Sequence, residues 1–253
     1  YGAEVSQVRA EWGQIIDPQA IKAALAREPA KIVCVVHGET STGMLQPHID
    51  EIGRICRAHD ALLVVDAVVT LGGVPVETDA WTIDVCFAGT QKCLGCPSGM
   101  GPITYNDRAE RAMAARRPPV VSNYLDLTQL QRYWSPERLN HHTLPTSMTY
   151  GLREALRLVL EEGLEARFLR HRRAGDALKA GLTAMGLELF GDPAHRLPMI
   201  TAVRIPEGVE DEKARLRLLE EFGIEIATSF GSLRGRVWRI GLMGYNAELR
   251  TVL

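Results

Sequence analysis

Apolar and polar positions along the chain switch repeatedly between helical and strand periods. Asp17 to Ala26 reads as a short helix, with Asp17 placed to cap it and Pro18 at its first position, where a missing N–H costs nothing. Lys31 to Val36 (KIVCVV) is an uncapped apolar run rich in β-branched residues, the signature of a buried strand. Pro47 to His59 carries Ile49, Ile52 and Ile55 at helical spacing on one face. Ala61 to Val65 (ALLVV) predicts a second buried strand, ended by Asp66. Asp84 to Ala88 (DVCFA) predicts a third and Gly101 to Tyr105 (GPITY) a fourth.

Strands buried on both faces and alternating with helices specify an α/β layered domain around a mainly parallel or mixed sheet. Ligands of such sheets collect beyond the carboxyl ends of the strands. Three segments stand there: His37-Gly38-Glu39-Thr40, Asp66-Ala67-Val68 and Gly89-Thr90-Gln91-Lys92. From Thr146 the texture changes. Thr146 to Glu162 is a strong amphipathic helix closed by Gly163, and a second long helix covers Leu164 to Met185. Short strands are expected at Leu187–Phe190, Thr201–Ile205 and Val237–Ile240, with a helix near Asp211 to Phe222. This α+β pattern predicts a small domain over 163–253 beside a large one over 1–162.

Charge and cysteine usage narrow the class. A net charge of −2 over 253 residues gives no reason to expect nucleic acid or an anionic membrane as partner. No stretch reaches the roughly 18 apolar residues of a membrane-spanning helix. The five cysteines are an odd number set mostly inside apolar runs, which reads as reduced thiols in a cytoplasmic setting. Cys93 and Cys96 form a CxxC with no second pair at zinc-site spacing, so a metal is not expected. Arg108, Arg111, Arg116 and Arg117 read as a solvated helix face or subunit contact, having no interleaved aromatics.

Two residues carry candidate chemistry. Lys92 lies just past a buried strand among small neighbours, where it can be partly desolvated, and a neutral lysine amine is the form that condenses with an aldehyde. Alone, a lysine in such a place is far more often an exposed loop residue. Asp66 at the sheet margin needs a cation or hydrogen bonds, and a protonated pyridine nitrogen is one suitable cation. Alone it could equally cap the following turn. Together they would set a carboxylate and an amine on one sheet edge, able to grip both ends of a pyridine aldehyde.

HGETSTGMLQP, LLVVDAVVTLGG, AGTQKCLGCPSG, LNHHT and VWRIGLMGYNA, in that order, resemble the class V, fold-type I aminotransferases over essentially all of the chain. Alanine/serine–glyoxylate and ureidoglycine–glyoxylate aminotransferases are the members most similar. The resemblance implies pyridoxal 5′-phosphate as cofactor and Lys92 as its Schiff-base lysine and proton carrier. It implies that Asp66 pairs with the pyridine nitrogen, Val68 packs on one ring face, and the Thr40 hydroxyl lies near the ring oxygen or the pyridine edge. Gln91 and Thr143 match phosphate contacts, Thr143 reaching the other subunit of a homodimer. Arg239 matches the clamp for the substrate carboxylate, a task suited to its planar fork.

Family members carry a small-residue loop opening a helix that cradles the phosphate, and an aromatic that stacks on the ring. Neither occurs here, so the chain is expected to be a piece lacking the N-terminal part and a C-terminal stretch. Its start at Tyr1 and its end at Leu253 fit that expectation. Asn140 stands where the alanine/serine type has a tyrosine, and its amide suits a ureido group. SNYLDL, IATSFG and GYNA also favour the ureidoglycine branch, whereas Leu144-Pro145-Thr146 favours the alanine/serine branch. A cysteine desulfurase would need a loop cysteine clear of the lysine, which Cys93 and Cys96 are not. A catalytically inactive scaffold of the same fold is the remaining alternative.

Overall fold

The computed structural model describes residues 2–252, so Tyr1 and Leu253 lie outside it. Helix α1 (Pro18–Arg27) starts as its sequence dictates, the Asp17 carboxylate accepting from the Gln19 amide at 2.9 Å. Strand β1 (Ile32–Val36) follows, then a two-residue hairpin of β2 (Gly38–Glu39) and β3 (Met44–Leu45). Helix α2 (Ile49–Ala58) buries the Ile49, Ile52 and Ile55 stripe. Strands β4 (Leu62–Asp66), β5 (Val85–Phe87) and β6 (Ile103–Tyr105) complete a four-stranded sheet of order β1-β4-β5-β6. Its first three strands are parallel and β6 is antiparallel, a mixed, mainly parallel sheet as expected.

One sheet face is a core. Leu63 and Val65 of β4 and Cys86 of β5 pack with Ile21 and Leu25 of α1 and Ile52, Ile55 and Cys56 of α2. Burying a side chain of this size contributes about 1.5–3 kcal/mol. The alternate residues face the other way, and there Ile32, Val36, Phe87 and Ile103 remain 52%, 43%, 36% and 39% exposed, with Cys34 among them. Strands that read as buried on both faces are thus covered on one by the described residues.

Helices α3 (Asp107–Ala115) and α4 (Leu127–Trp134) lead through an exposed stretch to α5 (Thr146–Glu162) and α6 (Leu164–Ala184), which meet at Gly163 with φ 81°. Strand β7 (Ile200–Arg204), helix α7 (Asp211–Phe222), and strands β8 (Ala227–Thr228) and β9 (Val237–Gly241) form a second, antiparallel sheet of order β7-β9-β8. No described helix is long and apolar enough to cross a membrane.

Two expectations are corrected. Leu187–Phe190 is not a strand but a single bridge, Leu189 to Val203. Gly186 and Gly191, both at positive φ, bracket it, and the Arg196 guanidinium takes the Leu189, Phe190 and Gly191 carbonyls that a ladder would use. Arg108 does not lie on a solvated helix face. Its Nη1 donates to both oxygens of the buried Asp84, at 3.1 and 2.9 Å, and its Nη2 donates to the Ala61 carbonyl.

Candidate active site

The carboxyl ends of β1, β4 and β5 meet at one edge, as their register requires: Val36 lies beside Asp66, and Asp66 beside Phe87. Beyond the sheet the pairing continues, with the His37 amide donating to the Asp66 carbonyl and the Ala67 amide to the Phe87 carbonyl. Oδ1 of Asp66 accepts from the Val68 amide at 2.8 Å, an Asx-type turn that fixes the carboxylate. One oxygen therefore caps the turn. The other, Oδ2, makes no hydrogen bond or ion pair among the described residues, and Asp66 is half-buried.

Lys92 is held from both sides of its turn. Thr90, fully buried, donates to the Pro97 carbonyl at 2.8 Å, and the Cys96 amide returns to the Thr90 carbonyl. Burial pushes the Cys93 thiol up to about 12, so it stays protonated and donates from Sγ to the Val69 carbonyl at 3.1 Å. The CxxC is thus a pair of free buried thiols. Among the described residues no group of three metal-ligating side chains occurs. Lys92 itself is half-buried and makes no ion pair among the described residues.

Segments 66–69 and 87–93 consequently run side by side, joined at Ala67–Phe87 and Val69–Cys93. Between those joints Gly89 is enclosed: a Cβ there would stand 2.8 Å from Gln91 Oε1 and 3.3 Å from Val68 Cγ1. Val68 and Gln91 thus approach the same buried glycine, and a side chain there would have to displace the Gln91 amide.

Arg239, on β9, reaches this edge from the second sheet. Its Nε donates to the Thr228 carbonyl at 3.0 Å, its Nη1 to the Thr40 carbonyl at 3.4 Å, and its guanidinium carbon lies 4.1 Å from the centroid of Phe230. Burial lowers its proton affinity and the Glu39 charge raises it; the group stays a cation. Glu39 is in turn occupied by the Ser41 amide and hydroxyl. Ser229 donates to the Ser41 carbonyl, tying the two segments that enclose Arg239.

The structure thus brings Thr40, Asp66, Val68, Gln91, Lys92 and Arg239 to adjoining segments of one edge. Asn140 and Thr143 do not join them: both are exposed and make no hydrogen bond to the others. They lie beside the coupled rings of His141 and His142, whose Nδ1 atoms are 2.9 Å apart. A separate cavity of about 510 Å³, lined by Arg172, Lys179 and Arg196 among others, touches none of these residues. Phe230 and the Thr228 carbonyl escaped the sequence reading because their contact with Arg239 joins β8 and β9 with no local spacing to signal it.

The family model described as aminotransferase class-V matches residues 1–247. The chain belongs to that family. This class-V chain is 51% identical, over 271 aligned positions and its whole length, to the (S)-ureidoglycine–glyoxylate transaminase of Bacillus subtilis, and covers 65% of it. It is 40% identical to the alanine–glyoxylate aminotransferase of Mus musculus, with 99% of the chain and 61% of the relative covered. The crystal structure of the Bacillus subtilis ureidoglycine–glyoxylate aminotransferase superposes with a TM-score of 0.96 at 55% identity, covering all of the chain and 65% of that structure. An alanine–glyoxylate aminotransferase from Nostoc sp. superposes with a TM-score of 0.97 at 42% identity, covering 100% and 67% respectively. The fold is fold type I, as its sequence motifs imply. The chain spans about 65% of the length of the first of these relatives.

Proposed function

We propose that this chain is the catalytic and C-terminal part of a pyridoxal-phosphate-dependent transaminase that takes its amino group from (S)-ureidoglycine and passes it to glyoxylate. The observation that carries the reading is the pair of uncommitted groups at one sheet edge: the Asp66 Oδ2 oxygen and the Lys92 amine, borne by two segments zipped together. The residues fit the cofactor. A free carboxylate oxygen, an apolar Val68 side chain and a free amine are the three chemistries a pyridine aldehyde requires, and Gln91 adds an amide beside them.

Pyridoxal phosphate supplies a protonated ring that takes up the electron pair left when a substrate α-proton departs. Asp66 Oδ2 would keep the ring nitrogen protonated, its geometry fixed by the Oδ1 bond to Val68. Lys92 would bind the cofactor through its amine and then carry the proton to and from the substrate's α-carbon. Val68 would cover one ring face and the Thr40 hydroxyl would meet the ring edge. Gln91 would bind the phosphate. Arg239, with Nε and Nη1 committed to main chain, has Nη2 left to hold the substrate carboxylate.

Asn140 would meet the ureido group, and Thr143 would reach the phosphate of a second copy. Both lie outside the Lys92 edge in an exposed stretch where Val121, Tyr124 and Trp134 are 77%, 70% and 66% exposed, which favours a homodimer in which that stretch packs on the partner. The higher identity to the ureidoglycine relative supports the choice of donor.

The test is a donor panel of ureidoglycine, alanine and serine with glyoxylate, on the natural full-length polypeptide loaded with cofactor, following glycine. Ureidoglycine is expected to lead in kcat/KM by about tenfold or more, the discrimination of one well-placed polar contact. A lead for alanine overturns the donor. No glycine from any of the three overturns the transaminase reading.

A further inference from the structure

The start of α6 carries three side chains that touch neither cofactor nor substrate residues, yet grip the main chain beside both Lys92 and Arg239. Arg167 is 5% exposed. Its Nη2 donates to the Cys93 carbonyl at 2.5 Å and its Nη1 to Glu162 Oε2 at 2.6 Å. Glu162 also accepts from Arg170, Nε to Oε1 at 2.6 Å and Nη2 to Oε2 at 2.9 Å. The remaining fork of Arg170 donates from Nη1 to the Gly244 and Ala247 carbonyls at 2.8 and 2.9 Å. His171 completes the grip. Its Nδ1 faces the Arg167 carbonyl, which can only accept, so Nδ1 carries the proton and Nε2 accepts from the Gly244 amide at 3.1 Å.

The two gripped turns also touch each other. A Cβ on Gly244 would stand 2.9 Å from the Gly95 Cα and 3.2 Å from the Lys92 carbonyl oxygen. One turn begins at Lys92 itself; the other follows β9, the strand that carries Arg239. A buried guanidinium is a costly way to fill space. Arg167 Nε has no partner among the described residues, so packing alone does not account for an arginine here. What an apolar side chain of equal size would lack is the fork that bonds a carboxylate and a carbonyl at once.

We propose that Arg167 is a positioning residue for Lys92, fixing the main chain on which the lysine sits and coupling it, through Glu162 and Arg170, to the turn after the Arg239 strand. The inference rests on the transaminase reading above, because positioning matters only if Lys92 carries the chemistry. It adds a residue remote from substrate that sets the turnover step rather than substrate affinity.

The experiment uses the natural full-length polypeptide with Arg167→Lys and Arg167→Met, and Leu182→Ala on the far part of α6 as a comparison of similar fold disturbance. In the cofactor-free protein, Lys92 is pulse-labelled with acetic anhydride and quantified by peptide mass relative to the other lysines. In the loaded protein, the pH midpoint of the cofactor absorbance band and the split between kcat and KM are measured.

Both Arg167 variants are expected to change the relative Lys92 labelling by about threefold or more and to lower kcat by about tenfold, with KM for the donor within about twofold, as for an interaction expressed only in turnover. Leu182→Ala is expected to match the parent in labelling and pH midpoint. Glu162→Gln, which loosens Arg167 from its other side, is expected to fall between and serves if the Arg167 variants do not fold. Parental labelling and pH midpoint in Arg167→Lys and Arg167→Met, or in Glu162→Gln if those do not fold, overturn the proposal while leaving the transaminase reading intact. A parent that carries no cofactor on Lys92 overturns the reading instead, and the labelling comparison is scored independently of it.

Discussion

The Arg239 guanidinium sits over the Phe230 ring, its carbon 4.1 Å from the ring centroid. The ring holds the cation through its π-face, while Nη2, with no hydrogen bond among the described residues, is left for a carboxylate. Replacing Phe230 with alanine removes a contribution of about 0.5–2 kcal/mol to the placement of that cation, so KM for the amino donor should rise by about twofold to thirtyfold. Phe230→Tyr should keep the parental KM. Steady-state kinetics of both variants check this; an unchanged KM in Phe230→Ala shows that the stack is idle.

A second expectation concerns Asp84, 1% exposed, which accepts from the Leu63 amide at 2.8 Å, from Asn106 at 2.8 Å and from both approaches of Arg108. Asp84→Ala leaves the mostly buried Arg108 guanidinium with only the Ala61 carbonyl and the exposed Asp60, strands the Leu63 N–H, and should cost about 3 kcal/mol. Urea unfolding followed by circular dichroism reads it as a lowered midpoint. A change under about 1 kcal/mol contradicts the account.

Gly53, in the middle of α2, gives a test of sign. Helix propensity alone makes Gly53→Ala stabilising by about 0.5–1 kcal/mol. A Cβ there, however, would overlap the Trp81 carbonyl and Thr82 Oγ1. Overpacking of this kind costs about 1–3 kcal/mol, so the variant should be less stable than the parent. A raised melting temperature would show that the α2–Trp81 contact is looser than described.

The pH dependence follows from two buried histidines. Burial lowers both His37 and His171 from 6.5 to about 4. His37 packs edge-on against Trp81 and bonds Thr70, while Arg167, Arg170 and Glu162 surround His171. A histidine whose folded pKa lies below its unfolded value is held neutral by the fold. Its stability is therefore complete above about pH 6.5 and is lost as the pH falls toward 4. Each histidine should cost about 2 kcal/mol of stability between pH 7 and pH 5. Urea midpoints across that range should fall steeply, and His171→Gln should flatten the slope by about half. A flat profile from pH 7 to 5 contradicts the burial of both rings.

Cys34 is the exposed thiol of the five, on the sheet face that the described residues leave uncovered. It should react with a maleimide in the folded chain, while Cys56, Cys86, Cys93 and Cys96 wait for unfolding. Burial raises the thiol pKa at Cys56 and Cys86 to about 11, which slows them further. Peptide mass mapping after a short pulse distinguishes the two groups.

Legibility in the sequence followed the strength of local signals. The β-branched runs that became β1 and β4, the isoleucine stripe of α2 and the Asp17–Pro18 start of α1 are dictated by burial and capping, and all appear in the structure. The β2–β3 hairpin has two-residue strands and no period to read. Leu187–Phe190 has strand composition, but a distant side chain, Arg196, took its carbonyls. Arg108 looked solvated because its partner Asp84 lies 24 positions away. At the candidate site, residue types and their order were legible, and so was the edge shared by Thr40, Asp66, Val68, Gln91, Lys92 and Arg239, whereas Asn140 and Thr143 lie apart from it. The supports were not: the Phe230 stack and the Arg167 fork are contacts between elements, invisible to spacing along the chain.

The Lys92 assignment is tested most directly by reducing the cofactor-loaded, full-length protein with borohydride, digesting it and mapping the pyridoxyl-bearing peptide by mass. The modification is expected on Lys92, and Lys92→Ala is expected to release the cofactor unreduced. A pyridoxyl group found on another lysine, or retained in Lys92→Ala, would contradict the account.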